Sequence, residues 1–373
     1  MVSVGIITIH KIKNYGSLFQ AFALQSICKT LGYKVEIIDY TFPNSFHLNR
    51  YGEQRRKSGE CQFIKYLFGL SLYRQHKTME SFVRDRMILS PMQYHHPDEL
   101  YDNPPKYDIY LTGSDQLWNP IHTCGDPVYM LHFAEENARK ISYAASIATC
   151  IPETMKDTFQ ILLSKYDSIS VREKSSAEQI FDVVGVRPSV VLDPTLLLTS
   201  VDWERISCKK RLVKRKYILC YFLNYSFDAF PYVDKLADYF HQQTGYQIVK
   251  VARPPKSLIN KGTSYRIGAS PEEFLALIRD AEIVLTTSFH GTAFAINYGK
   301  PLLTIVESKD SSDTRQSDLM MELGLEKQIV ALSESFPTIN DAYYDADQVR
   351  NSLDNLRSQS MSYLIQALKF DEA

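Results

Sequence analysis

The chain has 373 residues, 45% of them apolar and 23% charged, with 42 basic against 43 acidic side chains. That length and apolar content support two globular domains with separate cores, and the charge balance excludes the broad basic footprint of a nucleic-acid-binding protein. The six cysteines, Cys28, Cys61, Cys124, Cys150, Cys208 and Cys220, form no CxxC pair and fit buried thiols of a cytoplasmic protein better than disulfides or zinc. The apolar run after Met1 is too short for a signal peptide, and no segment is long enough to span a bilayer.

Val4 to Thr8 reads as a buried strand, His10 to Gly16 as a loop, and Ser17 to Leu31 as a helix stopped by Gly32. Val35 to Ile38 is the next strand, ending on Asp39-Tyr40. A dinucleotide fingerprint needs three glycines where Gly16 stands alone, so Asn14-Tyr15-Gly16 is a tight turn, a ligand-facing loop, or both. Residues 44–104 break this βα rhythm. Within them the 50–77 segment mixes Arg55, Arg56, Lys57, Lys65, Arg74 and Lys77 with aromatic residues at helical spacing. It suits either a peripheral contact with an anionic membrane surface or a solvated helix capping the first sheet. His95-His96 reads as loop rather than metal site, because adjacent side chains diverge and no third ligand is spaced to join them.

The rhythm resumes with a strand from Tyr107 to Thr112, followed by Gly113-Ser114-Asp115-Gln116-Leu117-Trp118-Asn119. Ser114 and Asp115 are expected at the carboxyl edge of the sheet. Trp118 beside Asn119 suits the apolar face and hydroxyls of a sugar, or else belongs to the core. Lys140 to Ser146 is a further strand, Pro152 to Tyr166 a helix, and Ser168 to Glu173 another strand. Arg172 at its end is either a fork for carboxylate or phosphate, or the partner of Glu173. Val190 to Leu197 reads as the last strand of the first domain, and the basic run Lys209 to Lys216 as a solvated linker.

A second α/β set follows, with a strand from Tyr217 to Phe222, a helix near Tyr232 to Gln242 and a strand from Gln247 to Val251. Ser270-Pro271-Glu272-Glu273 is a capping box that opens the helix to Arg279. The chain then enters its most informative stretch, a strand Ala281 to Thr287, the turn Ser288-Phe289-His290-Gly291-Thr292, a short helix to Tyr298 and a strand Leu302 to Val306. Such a βαβ unit has buried parallel strands, and its turn lies at the carboxyl edge where open α/β sheets bind ligands. The unpaired N–H groups of the following helix favour an anion, with His290 beside it. The bland alternative for His290 is a buried helix-cap histidine. A polar loop to Arg315, a helix around Ser317 to Leu323 and a long terminal helix from Asp347 to Leu368 complete the pattern. The expected division is 1–200, 201–345 and a helix within 346–373 that packs back across both domains.

Six stretches in order, Asn14 to Ala21, Gly113 to Asn119, Ser142 to Ser146, Ser170 to Glu173, Leu192 to Thr195 and Thr287 to Thr292, together resemble the polysaccharide pyruvyl transferase family. The resemblance implies two Rossmann-like domains in a GT-B-like arrangement with an interdomain cleft. It implies transfer of the pyruvyl group of phosphoenolpyruvate onto two hydroxyls of a sugar acceptor, free or polyprenyl-lipid-linked, in capsule or exopolysaccharide synthesis. No metal or other cofactor is implied. His290 is then the expected general acid, Arg172 the anion clamp and Asp115 the base or orienting acceptor, with Asn14, Tyr15, Gly16, Ser114, Trp118, Ser288, Gly291 and Thr292 around the substrates. Related enzymes carry an arginine where this chain has Ser288, so a second cation must come from Arg253, Arg279 or Arg315, of which Arg315 is preferred. Two further classes stay open: a GT-B glycosyltransferase using a nucleotide sugar, and a non-catalytic saccharide-binding protein.

Overall fold

The computed structural model describes residues 1–51, 68–223, 227–252 and 262–369. Two wholly parallel sheets, each covered by helices, account for the near-continuous apolar runs of the sequence. The first domain runs β1 (Ser3–Ile7), α1 (Tyr15–Thr30), β2 (Lys34–Tyr40), α2 (Ser45–Tyr51), α3 (Gly69–Arg86), β3 (Leu89–Tyr94), α4 (Pro97–Asp102), β4 (Ile109–Asp115) and β5 (Arg139–Ala145). It continues through α5 (Lys156–Leu163), β6 (Ser170–Val171), α6 (Lys174–Val184), β7 (Ser189–Val190), α7 (Pro194–Leu197) and α8 (Ser200–Ile206). The second contains β8 (Tyr217–Tyr221), α9 (Tyr232–Thr244), β9 (Gln247–Val251), β10 (Thr263–Arg266), α10 (Pro271–Arg279) and β11 (Ile283–Thr286). It closes with α11 (Phe289–Asn297), β12 (Leu302–Val306), α12 (Arg315–Glu322) and β13 (Ile329–Ala331), after which α13 (Ala346–Leu368) follows.

The strand orders are β3-β2-β1-β4-β5-β6-β7 and β10-β9-β8-β11-β12-β13. Each order reverses once, between β1 and β4 in the first sheet and between β8 and β11 in the second. Loops leaving the carboxyl ends at such a reversal diverge and leave room for a ligand. The two Rossmann-like domains meet with these edges facing each other, the GT-B-like arrangement expected above.

The seam is apolar as well as polar. Phe19 of α1 packs edge-on against Phe294 of α11 with ring centroids 5.2 Å apart, and Tyr15 stacks on Phe274 of α10 at 4.2 Å. The Tyr15 hydroxyl donates to the Ala269 carbonyl at 2.6 Å and accepts from Gln75 at 2.9 Å. Helix α13 returns to the first domain, where Ser360 Oγ accepts from Leu192 N at 2.9 Å and Tyr363 donates to the Ser142 carbonyl at 3.1 Å. Its Arg357 donates to the Leu196 carbonyl at 2.6 Å and to Asn297 Oδ1 at 2.9 Å, tying both domains to one helix.

Several local expectations change. Residues 44–104 do supply a strand, β3, which pairs in parallel with β2 at the sheet edge, where Pro91 does not interrupt a central ladder. Strand β6 is two residues long rather than six, and the Val190 to Leu197 run is a two-residue strand followed by α7, because Asp193 caps a helix through its bond from Thr195 N. Of the 50–77 segment, residues 52–67 lie outside the described residues. Its described helix α3 reaches the second domain: Arg74 donates to the Gly268 carbonyl at 2.6 Å and to Glu273 at 2.8 Å. No helix among the described residues is long and apolar enough to cross a membrane.

Candidate active site

His290 is the second residue of α11. Ser288 caps that helix, its hydroxyl accepting from Gly291 N at 3.3 Å, and the cap fixes where the imidazole enters the seam. The ring is 5% exposed and lies against α1 of the other domain. A Cβ on Gly16 would sit 2.0 Å from His290 Nδ1, so this approach of helix to ring requires a glycine. Gly291 is fixed in the same way from the other side, since a Cβ there would lie 2.3 Å from Thr286 Oγ1.

Asp193 is the hub. Its Oδ1 accepts from the Thr195 N–H at 2.9 Å and hydroxyl at 2.7 Å, and its Oδ2 accepts from Ser114 Oγ at 3.0 Å and Arg172 Nη1 at 2.8 Å. His290 Nε2 stands 3.6 Å from the same Oδ2, just beyond hydrogen-bond reach. Burial alone raises the Asp193 carboxyl, but the charges of His290 and Arg172 and the bond from Thr195 outweigh it and hold the group far below the usual carboxylate range. Asp193 therefore stays ionised.

Arg172 leaves β6 with its guanidinium over the Phe289 ring, 4.3 Å from the centroid. Its side chain lies 3.6 Å from Asp115 and 4.0 Å from Glu173. Only Nη1 is matched: Arg172 Nε and Nη2 and His290 Nε2 are buried with no hydrogen-bond partner among the described residues. The expected fork therefore has two unused nitrogens and one held by Asp193. Glu173 makes no hydrogen bond to it: Glu173 Oε1 accepts from Ser146 Oγ at 2.9 Å, Ile147 N at 3.1 Å and Ala148 N at 3.2 Å, while Oε2, 4.0 Å from Arg172 Nε, is buried with no hydrogen-bond partner among the described residues.

Asp115 completes the floor. Its Oδ2 accepts from Ser17 at 2.5 Å and its Oδ1 from Gln116 N at 2.9 Å, at a backbone φ of 84°. Burial pushes its carboxyl up, but His290, Arg172, the Ser17 bond and Arg315 pull it further down. Arg315 enters from the second domain as the first residue of α12, not from a loop as expected, and is 8% exposed. Asp313 holds it in a two-point pair, at 2.7 Å to Nε and 2.5 Å to Nη2. The Gln116 amide lies 2.8 Å from Arg315 Nη1 when its oxygen is turned towards the guanidinium. The helix is anchored across the seam, where Asp318 accepts from Lys174 N at 2.8 Å and so caps α6 from the other domain. Of the other two candidate cations, Arg253 lies outside the described residues. Arg279 is engaged with Asp280 at 2.8 Å and with the Cys208 carbonyl at 3.0 Å.

Other expected ligand contacts become structural. Trp118 is fully buried, donates to the Tyr129 carbonyl at 3.0 Å and meets Tyr166 edge-on, which makes it core rather than a sugar platform. Thr292 is buried, with its hydroxyl on the Ser288 carbonyl at 3.1 Å and against Thr304 Oγ1, so it presents no donor to an anion. Ser288 caps its own helix, Asn14 caps α1 through Gly16 N at 2.8 Å, and Tyr15 belongs to the seam. The structure thus gathers His290, Arg172, Asp115, Ser114, Gly16 and Arg315. It adds Asp193, Ser17, Glu173 and Asp313, of which Asp193 and Ser17 stood in the sequence only as members of short motifs and Glu173 as a motif member and the alternative partner of Arg172.

A family model described as polysaccharide pyruvyl transferase matches residues 14–309. No curated protein matches the chain. Among solved structures, S. aureus MnaA in a co-structure with UDP is similar at 10% identity and a TM-score of 0.53, over 96% of this chain and 91% of that one. The N-terminal domain of Candida albicans trehalose-6-phosphate phosphatase gives 10% identity and 0.52, over 98% and 96%. CalG4, the calicheamicin glycosyltransferase, gives 12% and 0.50 over the full length of both chains. These likenesses bear on the two-domain fold alone.

Proposed function

Because this chain belongs to the polysaccharide pyruvyl transferase family, we propose that the His290 cluster transfers the pyruvyl group of phosphoenolpyruvate onto two hydroxyls of one sugar, giving a cyclic ketal and phosphate. The observation that carries this reading is the convergence of three buried nitrogens without a hydrogen bond among the described residues, Arg172 Nε, Arg172 Nη2 and His290 Nε2, each only at ion-pair distance from a carboxylate, on a seam between facing sheet edges. A donor bearing a phosphate and a carboxylate offers the acceptors those nitrogens lack.

The steps follow from the groups present. Protonated His290 gives its proton to the methylene carbon, and the neighbouring carbon becomes electrophilic. A sugar hydroxyl adds there, with Asp115 receiving its proton. The second hydroxyl attacks the same carbon, the bond to the phosphate oxygen breaks, and the second proton leaves with phosphate. Arg172 holds the anion, and Asp193 fixes the guanidinium and the imidazole relative to each other. Arg315, paired with Asp313, adds positive charge that acts on Asp115. The acceptor belongs to a capsule or exopolysaccharide precursor. Where that precursor is lipid-linked, the exposed Leu70 and Tyr73 of α3 offer a peripheral membrane contact.

Thermal shift tests the donor, since ligand at a hundredfold its Kd stabilises by about 2.7 kcal/mol. Phosphoenolpyruvate is expected to raise Tm and UDP-sugars to leave it unchanged; the reverse result favours a glycosyltransferase. An acceptor screen following phosphate release then separates an enzyme from a saccharide-binding protein. In that assay His290→Ala lowers turnover by about 10²–10⁴-fold and leaves the shift caused by the saccharide in place. An unchanged rate removes His290 from the chemistry.

A further inference from the structure

At the opposite edge of the first sheet, we propose that a pocket floored by Lys140 binds a small phosphate-type oxyanion. The pocket encloses about 260 Å³, with His132, Glu136, Lys140 and Lys165 and the apolar Leu131 and Leu162 in its lining. Lys140 is the second residue of β5, and the strand rises roughly 3.3 Å per residue towards Ala145, which pairs with Val171 beside Arg172. The pocket shares no lining residue with the His290 cluster.

Lys140 is 4% exposed. Its backbone N–H donates to Asp167 at 2.8 Å, but among the described residues its ammonium has no hydrogen bond and no ion pair. Lysines this buried are rare unless paired, because an ammonium at the bottom of a pocket loses much of its water at a cost. The surroundings add to that cost instead of relieving it. Burial and then Lys165 lower the Lys140 ammonium, and Asp167 and Glu136 oppose this incompletely. His132 is lowered by burial and then by Lys165 and Lys140. Three basic groups thus face one space that a single carboxylate lines.

An oxyanion in that space would give Lys140 its missing acceptor and separate it from Lys165, with His132 as a further donor at the rim. Volume narrows the class. The pocket is far larger than the ~30 Å³ share of one water and smaller than the ~300–1,000 Å³ of drug-sized sites. Inorganic phosphate or a phosphate monoester of a few carbons fits, the latter with its carbons against Leu131 and Leu162. This site does not depend on the reaction proposed above.

The test follows the imidazole C2–H resonance of His132 in the full chain, assigned by its loss in His132→Asn. Inorganic phosphate and glycerol phosphate are titrated separately. The expected result is saturable movement of that resonance, a rise in its titration midpoint of about 0.5–1 unit, and binding weakened about tenfold or more in Lys140→Met. The tighter of the two ligands identifies the source of the anion. Lys140→Met replaces an unpaired ammonium on a buried stem by an apolar group of similar length, so its Tm should hold or rise. Should it not fold, Lys165→Met, on the exposed rim, is expected to weaken phosphate about threefold. A His132 resonance unmoved by either anion, or moved equally in the lysine variants, overturns the site.

Discussion

His10 and His290 each follow a strand at the point where a sheet's order reverses, each is buried, and each has an aspartate within ion-pair distance. They differ in what their nitrogens do. His10 Nδ1 lies 3.0 Å from the Thr8 carbonyl and Nε2 3.3 Å from Asp39 Oδ1, while Lys11 meets the other Asp39 oxygen at 2.6 Å. Burial raises the Asp39 carboxyl, but those bonds prevail and leave it lowered. Every group there is satisfied by its own domain. At His290 the aspartate comes from the other domain, a buried arginine competes for it, and the imidazole nitrogen facing it has no hydrogen bond. Burial beside a carboxylate is therefore common to His10, whose bonds are complete, and to His290, the proposed general acid. Unmet donors at a domain seam distinguish them.

The contrast can be broken most severely at Asp193. Asp193→Asn removes the one carboxylate hydrogen-bonded to the buried Arg172 and leaves it only the longer ion pairs to Asp115 and Glu173, so a cost of up to about 3–5 kcal/mol is expected by denaturant unfolding at neutral pH. The wild-type carboxyl is depressed by folding, so its contribution is full above its unfolded value of about 3.9 and is lost as pH falls from there towards the folded value. The stability gap between wild type and variant should therefore narrow below about pH 4. A gap independent of pH would mean that Asp193 acts by packing and not by charge.

Gly16→Ala comes next and acts on position alone. The new methyl would fall 2.0 Å from His290 Nδ1, so either the ring or α1 must move. Displacement of a catalytic group by about 1 Å costs roughly 100-fold in turnover, read as phosphate released from phosphoenolpyruvate. Phosphoenolpyruvate should still raise Tm. Near-normal turnover would show that the ring need not sit against α1.

His10→Ala is the mirror experiment. It removes two buried hydrogen bonds and is expected to lower stability by about 1–3 kcal/mol, with turnover per folded molecule unchanged. A selective loss of turnover would erase the distinction drawn between the two histidines.

The repeating units of the fold were legible because a parallel strand, a turn and a helix differ in period, and the Ser270 box fixed one helix start outright. Strands β10 and β13 were not, since Thr263-Ser264-Tyr265-Arg266 is polar at an edge and Ile329–Ala331 is three residues long. The site was legible as separate residue types: an imidazole in a turn, an arginine at a strand's end, a glycine before a helix. Their convergence on Asp193 depends on how two domains close, which no local pattern encodes. Nor could sequence separate hydroxyls that cap a helix from hydroxyls that bind an anion, because Ser288 and Thr292 suit either use.

Trp118 sharpens the comparison most gently, because an aromatic ring beside an asparagine reads equally as sugar platform or as core. Its indole N–H donates to the Tyr129 carbonyl and its ring meets Tyr166 at 5.8 Å, both within one domain. Trp118→Phe keeps an aromatic ring but loses that bond and part of the filled volume, so a cost of about 1–2 kcal/mol in stability is expected. The acceptor KM should stay the same, since no face of the indole reaches solvent. A large rise in KM at unchanged Tm would return Trp118 to the substrate and place the acceptor nearer to β4 than the closed seam now allows.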